Sequence, residues 1–269
     1  MRTANLDGTA TDRSGLSPEA VAHAAAQPRH QAHHGARSEP GEVIDNRLIA
    51  RLPREERTQL LDLCEMVTVL PGEVLCETGA PFTQVYFPLD CVISLLTQVE
   101  DHLSLETGMV GDEGMLGAQL ALGVSVAPLT ARVIGAGLAW RLPAAALRRE
   151  LQRNRSLQTV LFRYLYVLSS QLATGAACLR FHQISPRLAR RLLMNQDRAH
   201  SDRFQVTHEF LADMLGVRRV GITTAASAMQ RQGLIEYRRG KLTVRDRAGL
   251  QAAACSCYAA DRHIYDLFL

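Results

Sequence analysis

Lysine is almost missing from this chain of 269 residues: of its 30 basic residues only Lys241 is a lysine, and arginine supplies the rest. That bias fits GC-rich codon usage and specifies no function. No apolar run reaches the roughly 20 residues of a membrane helix, and no charged-then-apolar leader opens the chain. A soluble cytoplasmic protein without a membrane partner is therefore expected. The six cysteines, Cys64, Cys76, Cys91, Cys178, Cys255 and Cys257, are scattered. In a cytoplasmic chain they predict buried thiols, not a disulfide framework. His102 is the one histidine between residues 67 and 142. A cupin-type enzyme needs several histidines and a carboxylate converging inside its barrel, so that rival is weak. No Ser/His/Asp or Cys/His set is arranged for nucleophilic catalysis, and the chain is not expected to be an enzyme.

What is present divides the chain into segments. With 47% hydrophobic residues the chain can bury a real core and is expected to make two domains. Residues 1–40 are rich in Ala, Ser, Thr, Gly, Pro and His, balance their charges and show no period, which predicts a disordered tail. His30, His33 and His34 read there as solvated, not as metal ligands. From Asp45 to about Cys64 an amphipathic helical region carries Leu48, Ile49, Leu52, Leu60, Leu61 and Leu63. Short β-rich stretches follow (Val67–Leu70, Gln84–Phe87, Cys91–Leu96, Leu103–Glu106, Ala131–Ile134, Leu138–Leu142), separated by Gly and Pro turn signals. Such spacing predicts an antiparallel barrel or sandwich over residues 41–153.

Residues 154–183 return to helical periodicity. Leu157, Leu161, Leu165, Leu168 and Leu172 mark a stripe continued by Ala176 and Leu179, with Tyr164 on it. A long helix with such a stripe packs either on a second copy of the chain or on its own barrel; a two-fold dimer is the preferred expectation. Ile184-Ser-Pro186 is expected to interrupt the helix before Leu188–Met194 resumes it.

The densest signal lies in residues 207–230. Ala212, Gly216 and Ile222, four and six residues apart, fit two helices crossing at a tight turn. The small residue permits close approach, Gly216 supplies a positive φ, and Ile222 returns an apolar side chain to the joint beside Phe210, Leu211 and Leu215. Arg218, Arg219, Thr223, Thr224 and Ser227 remain for solvent, side chains able to reach base edges and phosphates. Leu234–Tyr237, a basic Arg238-Arg-Gly-Lys241 turn and Leu242–Val244 read as strand, turn, strand. Arg239-Gly240 is placed at the turn centre, with positive φ required of the glycine alone. Residues 185–249 hold 13 Arg or Lys against 6 Asp or Glu, a net +7 inside a chain of net +3. A basic C-terminal module, residues 184–269, is the expected phosphate-binding surface. An ordinary helical hairpin would leave this charge and the basic wing unexplained.

These features resemble the Crp/Fnr family of bacterial transcription regulators over residues 45–258. The carriers are Leu70-Pro-Gly-Glu-Val-Leu75, Val85-Tyr-Phe-Pro88, Val110-Gly-Asp-Glu-Gly-Met-Leu-Gly117, the helix-turn-helix with its wing, and Ala254-Cys-Ser-Cys-Tyr258. The resemblance implies an α+β chain: an N-terminal antiparallel jelly-roll β-barrel, a long dimerisation helix and a C-terminal winged helix-turn-helix. It further implies a homodimer on palindromic double-stranded DNA. Arg219, Thr223 and Thr224 are the expected base contacts. Thr207, Arg218, Ser227, Arg238, Arg239 and Lys241 are the expected phosphate contacts. RNA polymerase is a further candidate partner, with Glu42–Glu65 as the stretch considered, although no residue there specifies the contact.

Two departures from the family pattern bear on mechanism. Cyclic-nucleotide-binding members place an Arg before a Ser/Thr-Ala pair; here Pro128-Leu-Thr-Ala131 puts Leu129 at that position. Arg132, one residue past the pair, is expected to point the other way. Without a guanidinium a buried phosphate loses its bidentate anchor, so no cyclic-AMP response is expected. Glu113, Gly114, Leu129 and Thr130 outline the expected effector pocket, for an effector the residues do not name. Residues 1–63 contain no cysteine, which removes an N-terminal iron–sulfur sensor. In the recognition helix Val220 stands where the family often places an acid, and Arg218 replaces a capping Ser. The operator should differ accordingly. Cys255-x-Cys257 with His263 invites a metal reading, but its spacing is poor for zinc; packing is the expected role, with redox switching there or at Cys178 as the outside alternative. A ligand-binding regulatory subunit acting on protein partners is the remaining rival, and it does not account for Arg218-Arg219 or the wing.

Overall fold

The structure, a computed structural model, describes residues 45–99 and 103–269. The expected tail with His30, His33 and His34 lies outside the described residues, as do Glu42 and His102.

Residues 45–64 form two short helices, α1 (Arg47–Ala50) and α2 (Arg54–Leu61). Pro53 separates them, because proline brings no N–H to the ladder. Asn46 caps α1 through Oδ1, which accepts from the amides of Leu48 and Ile49 at 3.1 and 3.3 Å. Its side-chain amide donates to the carbonyls of Pro88 and Gly114 at 2.9 and 2.8 Å. Asn46 is fully buried, and four hydrogen bonds explain why the interior tolerates it.

Seven strands follow: β1 (Glu65–Val69), β2 (Val74–Cys76), β3 (Gln84–Pro88), β4 (Val92–Val99), β5 (Leu103–Val110), β6 (Thr130–Gly135) and β7 (Gly137–Pro143). They make two antiparallel sheets, ordered β1-β7-β3 and β2-β6-β4-β5. The two-sheet form of the expected barrel or sandwich is the one observed. β2 escaped the sequence reading because its three residues lie between turn glycines, too short to show a period. Val85, Phe87, Ile93, Val133 and Leu142 fill the space between sheets and helices.

Helix α3 (Ala144–Arg153) ends at Asn154, whose Oδ1 accepts from the Leu157 amide at 2.8 Å and so starts α4 (Arg155–Phe181). Leu157, Leu161, Tyr164, Val167, Gln171 and Cys178 form the buried face of α4. This corrects the expected dimer stripe: Leu157 and Leu161 lie inside the chain's own core, at 2% and 0% exposure. Leu165 and Leu168 are half-buried against it, and Leu172 is exposed. The open side of α4 carries Phe162, Leu172 and Leu179.

The helix breaks at His182 and Gln183, both extended, and not at Pro186. Pro186 sits in the first turn of α5 (Ile184–Ala199), where a missing N–H costs nothing. Then come β8 (Arg203–Gln205), α6 (His208–Leu215), α7 (Arg219–Arg231), β9 (Ile235–Arg238), β10 (Lys241–Val244), α8 (Arg247–Ala253) and α9 (Cys257–Phe268). The wing has three strands, β8-β10-β9, one more than the two-stranded expectation. A second core gathers Leu188, Leu192, Leu211, Ile222, Met229, Ile235, Leu242 and Leu250. That core ends at Tyr258, for Ile264, Tyr265 and Leu269 return to the first core alongside α4. The expected module of residues 184–269 therefore does not keep its last helix to itself.

Candidate nucleic-acid interface

The helix-turn-helix is built as its small residues require. Thr207 caps α6 by accepting from the Phe210 amide at 3.1 Å. Ala212 is 3% exposed where α7 crosses, and Gly216 adopts φ +60° at the turn. A Cβ on Gly216 would lie 2.9 Å from Leu105 Cδ1 of β5, a side-chain tip that can give way, so it is the backbone conformation that disfavours a side chain here. Ile222 is fully buried, worth about 1.5–3 kcal/mol of apolar transfer to this joint.

What α7 leaves outside is the surface the sequence named. Arg218, Arg219, Thr223, Thr224 and Ser227 are exposed, and Val220 is 69% exposed. The Thr223 and Thr224 hydroxyls donate back to the carbonyls of Arg219 and Val220 at 3.1 and 3.0 Å, and the Thr223 oxygen is also met by His208. Arg219 rests 3.5 Å from Glu209 with both side chains 68% exposed, a pairing worth no more than about 1 kcal/mol and easily exchanged.

His208 was not anticipated. Its Nδ1 lies 3.0 Å from Thr223 Oγ1, and its ring stacks on Tyr237 of β9 at 4.4 Å between centroids. It thus joins the start of α6, the recognition helix and the wing. Burial, and then the charge of Arg219, hold its pKa below the ordinary histidine value. A lone histidine carries no periodic signal, so only the fold could disclose this role.

The wing turn differs from expectation in one respect. Arg239 as well as Gly240 has positive φ, +51° and +76°. Two consecutive positive values are those of the primed turn that matches hairpin twist. Arg238 and Lys241 stand directly opposite each other across β9 and β10, both exposed beside exposed Arg239. Like charges facing across a ladder are unfavourable, and an anion at the turn relieves them.

Much of the +7 counted along residues 185–249 is not on this surface. Arg191 pairs with Glu106 of β5 at 2.6 Å, Arg198 with Glu113 at 2.7 Å and Arg190 with Asp261 at 2.5 Å, all on largely buried side chains. Arg247 pairs with Asp197, and Arg245 with Glu236. The exposed cations without an acid partner among the described residues include Arg203, Arg218, Arg231, Arg238, Arg239 and Lys241. Arg191 and Arg198 fasten this module to the β-domain, where Leu105 also abuts the turn and Ser94 Oγ lies 3.7 Å from Met214 Sδ.

The expected effector pocket does not assemble. Glu113 is 6% exposed and engaged by Arg198, at the wall of a cavity of about 260 Å³ shared with Gln171, Asp261 and Tyr265. Gly114 packs under Tyr164, whose ring fills the space a Cβ would need. Leu129 packs on the apolar core, while Thr130 bonds Thr78 and lines a different cavity with Arg132. Arg132 is exposed, whereas Ala131 and Val133 on either side of it are buried. It shares that cavity with Thr130, two residues before it on the same strand face.

Residues 186–253 match the family model of the Crp-like helix-turn-helix domain. Among solved structures the chain is similar to a Crp/Fnr-family transcriptional regulator from Eubacterium rectale, at 17% identity, TM-score 0.59 and coverage of 77% of this chain and 97% of that one. It is similar also to a CRP-family transcriptional regulator from Thermus thermophilus, at 18% identity, TM-score 0.59 and coverage of 70% and 96%. FixK2 from Bradyrhizobium japonicum matches at 14% identity, TM-score 0.55 and coverage of 71% and 98%. Identities this low establish shared fold. No curated protein matches the chain. No helix among the described residues is long and apolar enough to cross a membrane. With a Crp-like helix-turn-helix domain set behind two antiparallel sheets and a 27-residue helix, the chain has the fold of the Crp/Fnr-type transcription regulators.

Proposed function

We propose that this protein is a cytoplasmic transcription regulator that binds an inverted-repeat operator in double-stranded DNA as a homodimer, and that it is not an enzyme. The observation that carries the proposal is the exposed face of α7. Arg219, Thr223 and Thr224 present hydrogen-bonding groups to a major groove, and Arg238, Arg239 and Lys241 sit on a wing tied to that face through His208. Arg219 is assigned the bidentate guanine contact, worth about 1–3 kcal/mol of discrimination. Thr207, Arg218, Ser227 and the wing cations are assigned to phosphate, setting affinity without choosing sequence.

The dimer is assigned to the open side of α4, where Phe162, Leu172 and Leu179 are 47%, 45% and 42% exposed. Two recognition helices on one axis read two half-sites, which explains why a palindrome is expected. Leu129 at the phosphate-anchor position supports a protein that does not respond to cyclic AMP. Any effector that favours DNA binding must in turn be held tighter by the DNA complex. The contact of β5 with the turn at Gly216 offers such coupling a short path.

Selection of bound fragments from random duplexes by the purified protein, with a salt series on the enriched sequence, tests this reading. An inverted repeat is expected, with selectivity lost in Arg219→Ala. Uniform salt-labile binding by the effector-free protein, with no enriched motif, would reject effector-independent operator recognition.

A further inference from the structure

Away from the DNA-facing surface, four potential metal ligands from three parts of the chain converge. Cys178 lies near the end of α4, His182 is the first residue of the hinge, and Cys255 and Cys257 sit where α8 gives way to α9. Their ligand atoms lie within 4.8 Å of one another. Cys178 Sγ is 3.6 Å from Cys255 Sγ, and Cys257 Sγ is 3.5 Å from His182 Nδ1. The three cysteines are buried, at 2%, 7% and 8% exposure, and none is in a disulfide.

We infer that Cys178, His182, Cys255 and Cys257 form a Cys3His site for a zinc ion that pins the hinge between the long helix and the DNA-binding domain. Tetrahedral zinc, with Zn–S of about 2.3 Å and Zn–N of about 2.0–2.1 Å, needs sulfurs about 3.8 Å apart and sulfur and nitrogen about 3.5 Å apart. The two measured separations meet those edges. A disulfide needs sulfurs about 2.05 Å apart, and an iron–sulfur cluster holds its thiolates on separate iron atoms, which sets them further apart than the ligand atoms of this group. The Cys-x-Cys spacing, poor for two ligands on one element, works because Cys255 precedes α9 and Cys257 opens it. The histidine is His182 from the hinge and not His263, which is absent from the group.

Burial pushes the Cys255 and Cys257 thiols up, Cys257 to about 12, a cost that metal binding must offset. Loading deprotonates three thiols and releases three protons to the buffer, leaving a centre of net charge −1. The guanidinium groups of Arg187 and Arg190 lie within Coulombic range of Cys178 and Cys255 and offset that charge. His182 is only half-buried, which leaves an entry path. The Cys255 amide already donates to the Pro186 carbonyl at 3.3 Å, so the same segments are joined once through backbone and, on this assignment, again through metal.

The test uses the full chain, purified under reductant, stripped by chelator and titrated with Zn²⁺, with Co²⁺ as a spectroscopic stand-in. One zinc per chain is expected, with proton release and a rise in Tm that chelator reverses. Co²⁺ should give intense visible bands and thiolate-to-cobalt absorption, the signature of a tetrahedral sulfur site. Cys257→Ser and His182→Ala should each weaken zinc binding by more than the roughly 10–100-fold typical of changes behind the ligands. Circular dichroism confirms that each variant is folded, and the wild-type titration decides the matter even where one is not. Substoichiometric zinc with three titratable thiols in the wild-type protein would overturn the inference. So would zinc retained equally by Cys178→Ser and Cys257→Ser, or a Cys178–Cys255 disulfide forming in place of metal binding.

Discussion

Glu113 and Arg198 form a buried ion pair between the β-domain and the end of α5, with Oε1 2.7 Å from Nε and side chains 7% and 6% exposed. The Tyr265 hydroxyl donates to the same carboxylate oxygen at 3.4 Å, which brings α9 into the joint. Removing one partner strands a charge in the interior. Glu113→Ala is expected to destabilise the protein by about 3–5 kcal/mol in urea denaturation, whereas Glu113→Leu with Arg198→Met should cost distinctly less. Equal losses in the single and double variants would show that the pair is not coupled.

His200 supplies the pH dependence. Its Nε2 is 3.3 Å from Asp112 Oδ2. The hydrogen bond to Asp112 raises its pKa above the ordinary histidine value against the opposing effect of burial, with Asp112, Asp90 and Glu113 adding attraction. The folded-state pKa thus lies above the unfolded one of about 6.5. Stabilisation by the charged pair is complete below about pH 6.5 and is lost as pH rises through the folded value. His200→Asn keeps a residue that tolerates the φ of +46° found there. Its urea midpoint should fall below wild type near about pH 6, with the gap closing at higher pH. A gap independent of pH would rule out the linkage.

Two leucines on α4 should fail in different ways. Leu161 is wholly buried in its own chain, so Leu161→Ala is expected to cost about 2–5 kcal/mol of stability. Leu172 is 45% exposed on the proposed dimer face. Leu172→Glu should leave monomer folding nearly intact while shifting the mass measured by light scattering from dimer toward monomer. A Leu172→Glu protein that stays dimeric places the interface elsewhere.

The wing cations should separate from Arg219 in their salt dependence. Lys241→Ala or Arg239→Gly is expected to weaken binding to all duplexes alike and to reduce the slope of log affinity against log salt by about 1. Arg219→Ala should instead relax preference at one base position. Loss of base preference on changing Lys241 would reverse the assigned roles.

The joint of the helix-turn-helix was legible residue by residue, because Ala212, Gly216 and Ile222 answer local demands of crossing distance, φ and burial. The strand stretches were legible for the same local reason, except β2, whose three residues are too few to show alternation. The assignment of Leu157 and Leu161 failed because a helix with apolar side chains over a wide arc does not say which part meets its own sheets. The charge count failed in part because arginines left exposed and arginines that bind a distant glutamate look alike in sequence.

The sequence by itself determined the joint of the helix-turn-helix and the side chains that α7 leaves exposed, properties set within a few residues of one another. Tertiary structure alone decided that Glu113 is spent on Arg198, that His208 braces Thr223 against the wing, and that Cys178 and His182 meet Cys255 and Cys257. Each of those pairings except the two of His208 joins residues more than 70 positions apart, and only the path of the folded backbone brings such groups within ångströms.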